Sequence, residues 1–409
     1  MAKKPTTFLG KLMAHLGSFW LAIALLVNLF LLTWLGTLEQ VEKGIHQVQV
    51  EYFESWFVLA KAGPIKLLLP GGYITMGLFT LNLLVGGLVR IRKSTATIGV
   101  IIAHVGIAVM MVGGLVEHAA GDYGRIVLHE GEEGDEFQEY AGWEVAIWDA
   151  DQTQGVQEYI ISADQFSDLG GDRTRTFKRA ELPFDLILGR YMENCEPRTA
   201  AAVGVPPNPV YDGLFLREAA RNKENERNLA GLYATAITAQ GTSVQQSFLF
   251  GLEQYPWVVQ AGGKNWAVEL RHTVHPMPFR LRLVKFTKDD HPGMTMARSY
   301  SSDVIKIDPD GSEHPIRIEM NKPLREKGLV IYQASYGPQE GQPGEPYSVL
   351  AVSNNPSDRI PWVSVAIISF GLFWTFLTRL VGFLRKEKRR AAKAAKTPEA
   401  EGATAKAAA

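Results

Sequence analysis

The stretch Ser18–Leu38, SFWLAIALLVNLFLLTWLGTL, contains no charged residue over 21 positions. A helix rises about 1.5 Å per residue, so about 20 apolar residues cross the roughly 30 Å of hydrocarbon in a bilayer. The apolar core is longer than that of a secretory signal peptide, and no small-x-small cleavage motif follows at Gly36–Gln40. The segment therefore predicts an uncleaved transmembrane helix.

Three further blocks have similar length and composition: Gly72–Val89, Ile98–Val116 and Trp362–Leu384. The last of them includes Arg379 close to its end, from where a long side chain can reach the lipid headgroups. Four blocks of this kind predict an integral membrane protein with four transmembrane helices, at residues 18–38, 72–89, 98–116 and 362–384.

Lysine and arginine cluster in three short flanks of these blocks, at residues 1–17, 90–97 and 385–409. Positively charged flanks stay in the cytoplasm, and these three share a side only if all four blocks span. Residues 39–71 and 117–361 are then expected outside, with both termini cytoplasmic. The tail 385–409, rich in alanine and lysine, is expected to be disordered.

Composition excludes several classes of site. The formal net charge of -1 shows no bias toward nucleic acid. Cys195 is the only cysteine, which excludes an intramolecular disulfide, a four-thiolate metal site and a Cys-x-x-Cys-His haem attachment site. The sequence also lacks Gly-x-Ser-x-Gly, a phosphate-binding glycine loop and His-Glu-x-x-His.

Residues 117–361 show short runs that alternate between apolar and polar residues and are broken by glycine, proline and Asx turns. This period of two, with β-branched and aromatic residues, predicts strands. The predicted strands are Arg125–His129, Trp143–Trp148, Phe184–Leu188, Leu232–Thr238, Trp266–Val274, Phe279–Phe286, Val304–Ile307 and Leu329–Gln333. Asp308–Gly311 predicts a hairpin turn. The pattern favours a sandwich or an open barrel.

His104 lies six residues inside the third apolar block, about 9 Å from its start by the helical rise. Ionisable groups at that depth usually face a cavity, a partner or a cofactor. An imidazole there could ligate haem iron, relay protons or hydrogen-bond another helix through Asn28 or Asn82. Position alone leaves these alternatives open.

His118 follows fourteen residues later on the same predicted helix. Fourteen residues come within about 40° of four full turns, so the two histidines share a face about 21 Å apart. Membrane cytochromes with two b-type haems use such a spacing, but the other three spans contain no partner histidine, and only His15 could approach His104. A self-contained haem pair is disfavoured, whereas a half-site completed by another subunit remains open.

Small residues recur along the third block at intervals of three, four or seven: Gly99, Ala103, Gly106 and Gly113. They predict a seam for close helix packing, against this chain or against a partner.

His272 and His275 are separated by three residues in a strand pattern and would point to opposite faces, which is poor geometry for one metal. His272 is interpreted as a packed core residue. Cys195 and the scattered histidines of the large domain are interpreted as ordinary packing or surface residues.

Several stretches carry motifs that are specific in combination. Leu69–Asp149 contains LPGGYITMGLFTLNLLVGGLVRIRK, IGVIIAHVGIAVMMVGGLVEH, GRIVLHEGEE and WEVAIWD. Ser18–Gln40 contains Leu-Gly-Thr-Leu, Tyr52–Phe57 reads YFESWF, and Met320–Gly337 reads MNKPLREKGLVIYQASYG. These stretches, and their order of three helices, a large domain and one helix, resemble the ResB family of cytochrome c maturation proteins. Ala150–Trp266 adds no motif to the resemblance.

The resemblance implies a role in the bacterial cytoplasmic membrane, with the large domain in the periplasm. Family members work with a CcsA-type membrane haem protein, move haem across the membrane and present it to apocytochrome c. The family's helix 3 histidine matches His104, which would be an axial ligand to a transient haem b shared with the partner. His118 is a second candidate for haem contact. Thiol-reducing maturation factors are further candidate partners.

The resemblance also bears on catalysis. The tryptophan-rich haem-binding loop and its flanking histidines belong to the CcsA-type partner, and this chain has no such loop. The chain is therefore expected to be a non-autonomous subunit of a holocytochrome c synthase, with the catalytic residues mainly in the partner.

Two functions of other classes compete with this interpretation. A membrane protein that holds b-type haem permanently and passes electrons would need a helix-borne histidine pair. A structural assembly factor would dock partners through the large domain and leave His104 with only a packing role. All three functions share the expected fold: four transmembrane helices and an extracytoplasmic mainly-β domain, either a sandwich or an open barrel.

Overall fold

The computed structural model describes residues 7–62, 65–152, 155–238, 243–293, 297–338 and 344–406. The chain divides into two compact units. The helical unit comprises Met1–Glu39, Val48–Gly121 and Asn355–Ala409, and the strand-rich unit comprises Gln40–Gln47 and Asp122–Asn354.

The described residues form six α-helices. They are α1 (Phe8–Leu16), α2 (Phe19–Lys43), α3 (Ile45–Val48), α4 (Gly72–Asn82), α5 (Ile98–Ala120) and α6 (Ile360–Lys406). Two segments are π-helical: Gln49–Phe53, and Leu83–Val89, which continues α4. Ser18 separates α1 from α2, and its hydroxyl caps α2 by accepting a hydrogen bond from the Leu21 amide at 3.2 Å.

In the part of the chain that the structure describes, four helices are long and apolar enough to cross a membrane. They are Phe19–Lys43, Gly72–Val89, Ile98–Ala120 and Ile360–Ala392. These helices coincide with the four apolar blocks of the sequence and indicate a membrane protein. The last helix continues to Lys406, although disorder was predicted from residue 385. Alanine and lysine have high helix propensity, which an argument from composition alone does not weigh.

The seam of small residues on α5 packs against α6 of the same chain. Its four members, Gly99, Ala103, Gly106 and Gly113, are all buried. A Cβ built on Gly99 would lie 2.5 Å from the Gly371 carbonyl oxygen and the Thr375 hydroxyl, and one on Gly371 would lie 2.6 Å from the Ala103 nitrogen. The predicted close helix packing is therefore confirmed, and its partner is the last helix of this chain.

The described residues also form eighteen strands. In the helical unit these are β1 (Phe57–Ala62) and β2 (Ile65–Pro70). In the strand-rich unit they are β3 (Asp122–His129), β4 (Glu133–Asp149), β5 (Glu158–Ser162), β6 (Thr174–Phe177), β7 (Phe184–Met192), β8 (Cys195–Thr199), β9 (Leu214–Glu218), β10 (Gly231–Thr238), β11 (Val244–Phe250), β12 (Trp257–Ala261), β13 (Lys264–Asp290), β14 (Ala297–Ile307), β15 (Glu313–Glu319), β16 (Leu324–Glu326), β17 (Leu329–Gly337) and β18 (Tyr347–Asn354).

The largest sheet has ten strands and is nearly closed into a barrel. Its main order is β15-β14-β13-β4-β3-β18-β17-β16, with β12 added to β13 and β5 added to β4. The two end strands, β15 and β16, are consecutive in sequence and contact each other. Phe137, Leu281 and Ile331 belong to the core of this barrel.

A second core lies between one half of the large sheet and a four-stranded sheet of order β11-β10-β7-β6. Trp143 of β4, Leu186 of β7, Leu232 of β10 and Val268 of β13 belong to it. The long strands β4 and β13 therefore pass through both cores. The predicted mainly-β domain is confirmed, and it combines a sandwich-like half with a barrel-like half.

Strand β13 joins two segments that the sequence predicts as separate strands. Its pairing with β4 is irregular in the middle: His272 pairs with Trp143, and Val274 pairs with Gln138. The β4 residues between these two pairs form a bulge. A bulge bends a strand, and here it lies where β4 and β13 pass from one core to the other.

Candidate functional site

The helical unit contains a cavity of about 390 Å³ that reaches His104. Its volume falls within the roughly 300–1,000 Å³ of small-molecule sites. The walls are mostly apolar and come from the junction of α1 and α2, from α4 with its π-helical extension, and from α5. The lining residues are Gly17, Ser18, Phe19, Ala22, Leu26, Phe79, Asn82, Leu83, Gly86, Gly87, Ile91, His104 and Ile107.

Close backbone approach shapes one end of this cavity. A Cβ on Gly17 would lie 3.1 Å from the Gly86 Cα, so the junction of α1 and α2 rests on the π-helical turn. The Asn82 side chain donates to the carbonyl oxygens of Leu16 at 2.6 Å and Ser18 at 3.0 Å. The bond to Leu16 provides a partner for a carbonyl at the end of α1, and the Ser18 carbonyl also accepts from the Ala22 amide of α2 at 3.3 Å.

The His104 ring is oriented by its own helix. Its Nδ1 lies 2.7 Å from the Val100 carbonyl oxygen. Because a carbonyl only accepts, Nδ1 is the donor and the neutral ring has its lone pair on Nε2. Within the described residues, Nε2 has no hydrogen-bond partner. Histidine ligands of metals are commonly oriented in this way, with one nitrogen bonded to a carbonyl and the other available.

Gly87 provides the space that this ring occupies. A Cβ on Gly87 would overlap His104 Cδ2 and come 2.9 Å from Nε2. Gly87 is not among the candidate residues predicted from the sequence. The adjacent pair Gly86-Gly87 within an apolar span could have indicated it, because small residues in a membrane helix allow a neighbouring helix to pack closely.

The two intramembrane asparagines make other hydrogen bonds. Asn28 donates to the Pro70 carbonyl at 3.0 Å and to the Thr75 hydroxyl at 2.8 Å, and Asn82 is held at the helix break. Neither is bonded to His104, so the predicted alternative of a hydrogen bond to one of them is wrong. His15 is exposed on α1 and is not among the residues that line the cavity.

His118 lies among polar and aromatic side chains. Its Nε2 is 3.4 Å from the Tyr73 hydroxyl, and its Nδ1 is 3.9 Å from a Glu54 carboxylate oxygen. Tyr73 and Gly87 lie on the same predicted span, so both histidines of α5 face that span, as the helical spacing predicts. Both ring nitrogens of His118 have polar neighbours, whereas Nε2 of His104 has none among the described residues. Haem contact at His118 stays a prediction.

The two histidines of β13 have separate surroundings. His272 stacks on Trp143 with ring centroids 4.0 Å apart, and its Nδ1 lies 3.1 Å from the Gly142 carbonyl oxygen. Burial lowers the pKa of His272. The side chain is half-buried and packs against the core residue Trp143 without belonging to the core itself, so the predicted packing is found at the edge of the core. His275 Nε2 instead lies 2.6 Å from Glu139 Oε1.

The glutamine of the Met320–Gly337 motif has a structural role. Gln333 is buried, and its side chain bonds the hydroxyls of Ser302 at 2.6 Å and Ser348 at 2.8 Å. This hydrogen-bond network joins β14, β17 and β18. A buried polar group without a partner is destabilising, so the network accounts for a glutamine at this position without a catalytic or ligand-binding role.

Cys195 is 3% exposed, and burial raises the pKa of its thiol to about 12. The thiolate fraction at pH 8 is then on the order of 10⁻⁴. We expect maleimide to leave the folded protein unlabelled at pH 8 and to label it fully in denaturant. A Leu252→Cys variant, at a position where the side chain is 71% exposed, should label in the folded state. Rapid labelling of Cys195 in folded protein would contradict the buried position.

No curated protein matches the chain significantly. The model of the ResB-like family matches residues 229–344, a stretch that begins before β10 and includes the Met320–Gly337 motif. Over residues 229–344 the chain thus carries a ResB-like family region, which confirms the predicted resemblance and supports a general role in cytochrome c biogenesis.

Proposed function

We propose that this protein is the membrane subunit of a complex that delivers haem to apocytochrome c, with haem as a cargo held transiently at His104. A CcsA-type membrane protein is the proposed partner. The observation that carries the proposal is the apolar cavity reached by an imidazole whose Nδ1 is bonded to Val100 and whose Nε2 is available.

The residues present fit one half of a haem site. Apolar walls suit a macrocycle, and a neutral imidazole can ligate iron without placing a full charge among apolar helices. The residues that line the cavity include one histidine and no cysteine or methionine. A second axial ligand would therefore come from the partner, which is consistent with haem shared between two subunits.

The proposed topology follows the positive flanks. Residues 1–17, 90–97 and 385–409 lie in the cytoplasm, and the strand-rich unit lies in the periplasm, where c-type cytochromes are completed. Strand β6 is at one edge of the four-stranded sheet. An edge strand can pair with an extended peptide, so β6 is the proposed docking position for apocytochrome c. The covalent step belongs to the partner.

The test is to purify the chain with and without a co-expressed CcsA-type partner and to record the haem absorption spectrum. We expect haem in the complex and little in the isolated chain. Stoichiometric haem that cycles between redox states in the isolated chain would instead support a permanent electron carrier. A complex that matures cytochrome c normally without any haem on this subunit would support a structural assembly factor.

A further inference from the structure

Three metal-ligating side chains from distant parts of the sequence meet in the strand-rich unit. Asp122 is the first residue of β3, Glu139 lies in β4 and His275 lies in β13. One ligand atom from each lies within 4.8 Å of the others, and all three side chains are half-buried. In the described parts of the chain this is the one group of three or more such side chains. We propose that this strand-junction site binds a divalent transition-metal ion of the zinc class.

The bulge in β4 creates the site. Gln138 pairs with Val274 and Trp143 pairs with His272, so Glu139 belongs to the β4 residues that are bulged relative to β13. On its other side Glu139 still pairs with Gly124 of β3. Bulges re-aim side chains and occur frequently beside functional sites. Gly142 clears the space for the carboxylate, because a Cβ there would overlap Glu139 Oε2.

Neighbouring groups hold two of the three ligands in place. The Asn354 amide donates to Asp122 Oδ2 at 3.0 Å, which leaves Asp122 Oδ1 available. The His275 ring stacks on Phe137 with centroids 5.2 Å apart, and its Nε2 lies 2.6 Å from Glu139 Oε1. The contacts from Asn354 and Phe137 are outer contacts of the kind that fix the orientation of ligands in metal sites, whereas the contact between His275 and Glu139 joins two of the ligands themselves.

The donor set selects the class of ion. One imidazole nitrogen and two carboxylate oxygens suit zinc and its neighbours, whereas calcium and magnesium prefer oxygen donors alone. Bonds of about 2.0–2.2 Å would bring the ligand atoms to roughly 3.3 Å from one another, which requires only small side-chain rotations. On binding, the ion would take the place of the proton shared by His275 Nε2 and Glu139, which is released to solvent, and its two positive charges would balance the two carboxylates. Bound metal would join β3, β4 and β13 at one point.

A plain ion pair between His275 and Glu139 is the competing interpretation. The chain offers a matched control for it, since His129 and Glu132 form such a pair at 3.0 Å. That pair lacks a third ligand within the described residues. A metal site requires all three side chains, whereas a plain ion pair does not need Asp122.

The experiment uses the full chain in detergent, with an affinity tag that contains no histidine, stripped with chelator and titrated with Zn²⁺. We expect one Zn²⁺ per chain by calorimetry and by metal analysis after dialysis, and a higher Tm with Zn²⁺ than without it. Asp122→Asn, Glu139→Gln and His275→Gln should each weaken binding at least about tenfold, given the 10–100-fold effect of outer contacts alone. His129→Gln should bind as the wild type does.

Two results would overturn the proposal: no saturable Zn²⁺ binding at micromolar concentration, or wild-type affinity in Asp122→Asn and Glu139→Gln. These two variants preserve side-chain shape, and circular dichroism of the metal-free proteins shows whether they fold. Should one of them fail to fold, the other decides. The readout is independent of haem, so its outcome is separate from that of the function proposed above.

Discussion

Replacing His104 with alanine is expected, on the proposed function, to lower the haem content of the complex co-purified with a CcsA-type partner and to lower the yield of c-type cytochrome at least about tenfold. Loss of an outer contact of a metal ligand alone weakens metal sites about 10–100-fold, and this substitution removes the ligand itself. The measurements are the haem absorption of the purified complex and the haem staining of mature cytochrome c. Added imidazole should restore part of the haem signal, because the variant leaves a hole where the ring was.

Gly87→Ala is the matching change at the residue that packs directly against the His104 ring. Its Cβ would overlap the His104 ring, so the ring must turn while Nδ1 and Val100 remain present. We expect a shifted haem spectrum and a smaller loss of cytochrome yield than in His104→Ala. His15→Ala, at an exposed position outside the cavity, is the control. Unchanged haem content in His104→Ala would exclude the ligand role.

Gly99→Ala is expected to separate α5 from α6 and to lower the stability of the helical unit by about 1–3 kcal/mol, the usual effect of overpacking. The added Cβ would lie 2.5 Å from the Gly371 carbonyl oxygen and 2.8 Å from the Thr375 backbone nitrogen. Backbone atoms cannot rotate away, so the helices themselves must move. Thermal unfolding of the protein in detergent, followed by circular dichroism, measures the change.

Gly114→Ala on the same helix is the control for this prediction. A Cβ at Gly114 would meet no atom within 4 Å, and alanine is the better helix former by about 1 kcal/mol in water. We therefore expect the Tm of Gly114→Ala to equal or exceed that of the wild type. Equal stability of the Gly99 and Gly114 variants would mean that α5 and α6 do not pack as described.

The apolar spans and most of the individual strands could be predicted because their patterns are local. Ser18–Leu38 has the length and composition of a span, and Trp143–Trp148 has the period of a strand. The joining of Trp266–Val274 and Phe279–Phe286 into β13 could not be predicted, because Pro276 and Pro278 interrupt the alternating pattern between them. Only the pairing with β4, more than 100 residues away, shows that the strand continues.

The candidate site could be predicted only in part. An imidazole within an apolar span is visible in the sequence, so His104 could be identified. Its orientation could not, because that depends on the hydrogen bond to Val100 and on the proximity of Gly87. The site at Asp122, Glu139 and His275 is invisible in one sequence, since its ligands come from three strands whose register is fixed only by the folded sheet.

The main segment of the strand-rich unit begins at Asp122 and ends at Asn354, and these two residues are paired neighbours on β3 and β18. Once folded, the whole segment therefore has its two ends held side by side, as the ends of a short connector would be. The entropic cost of bringing the two ends together grows with the length of a flexible connection. Here the free energy of folding of the segment itself offsets that cost. The segment is thus built like an inserted domain, with its two ends adjacent. Changes in its interior can then leave the distance between the two ends unchanged.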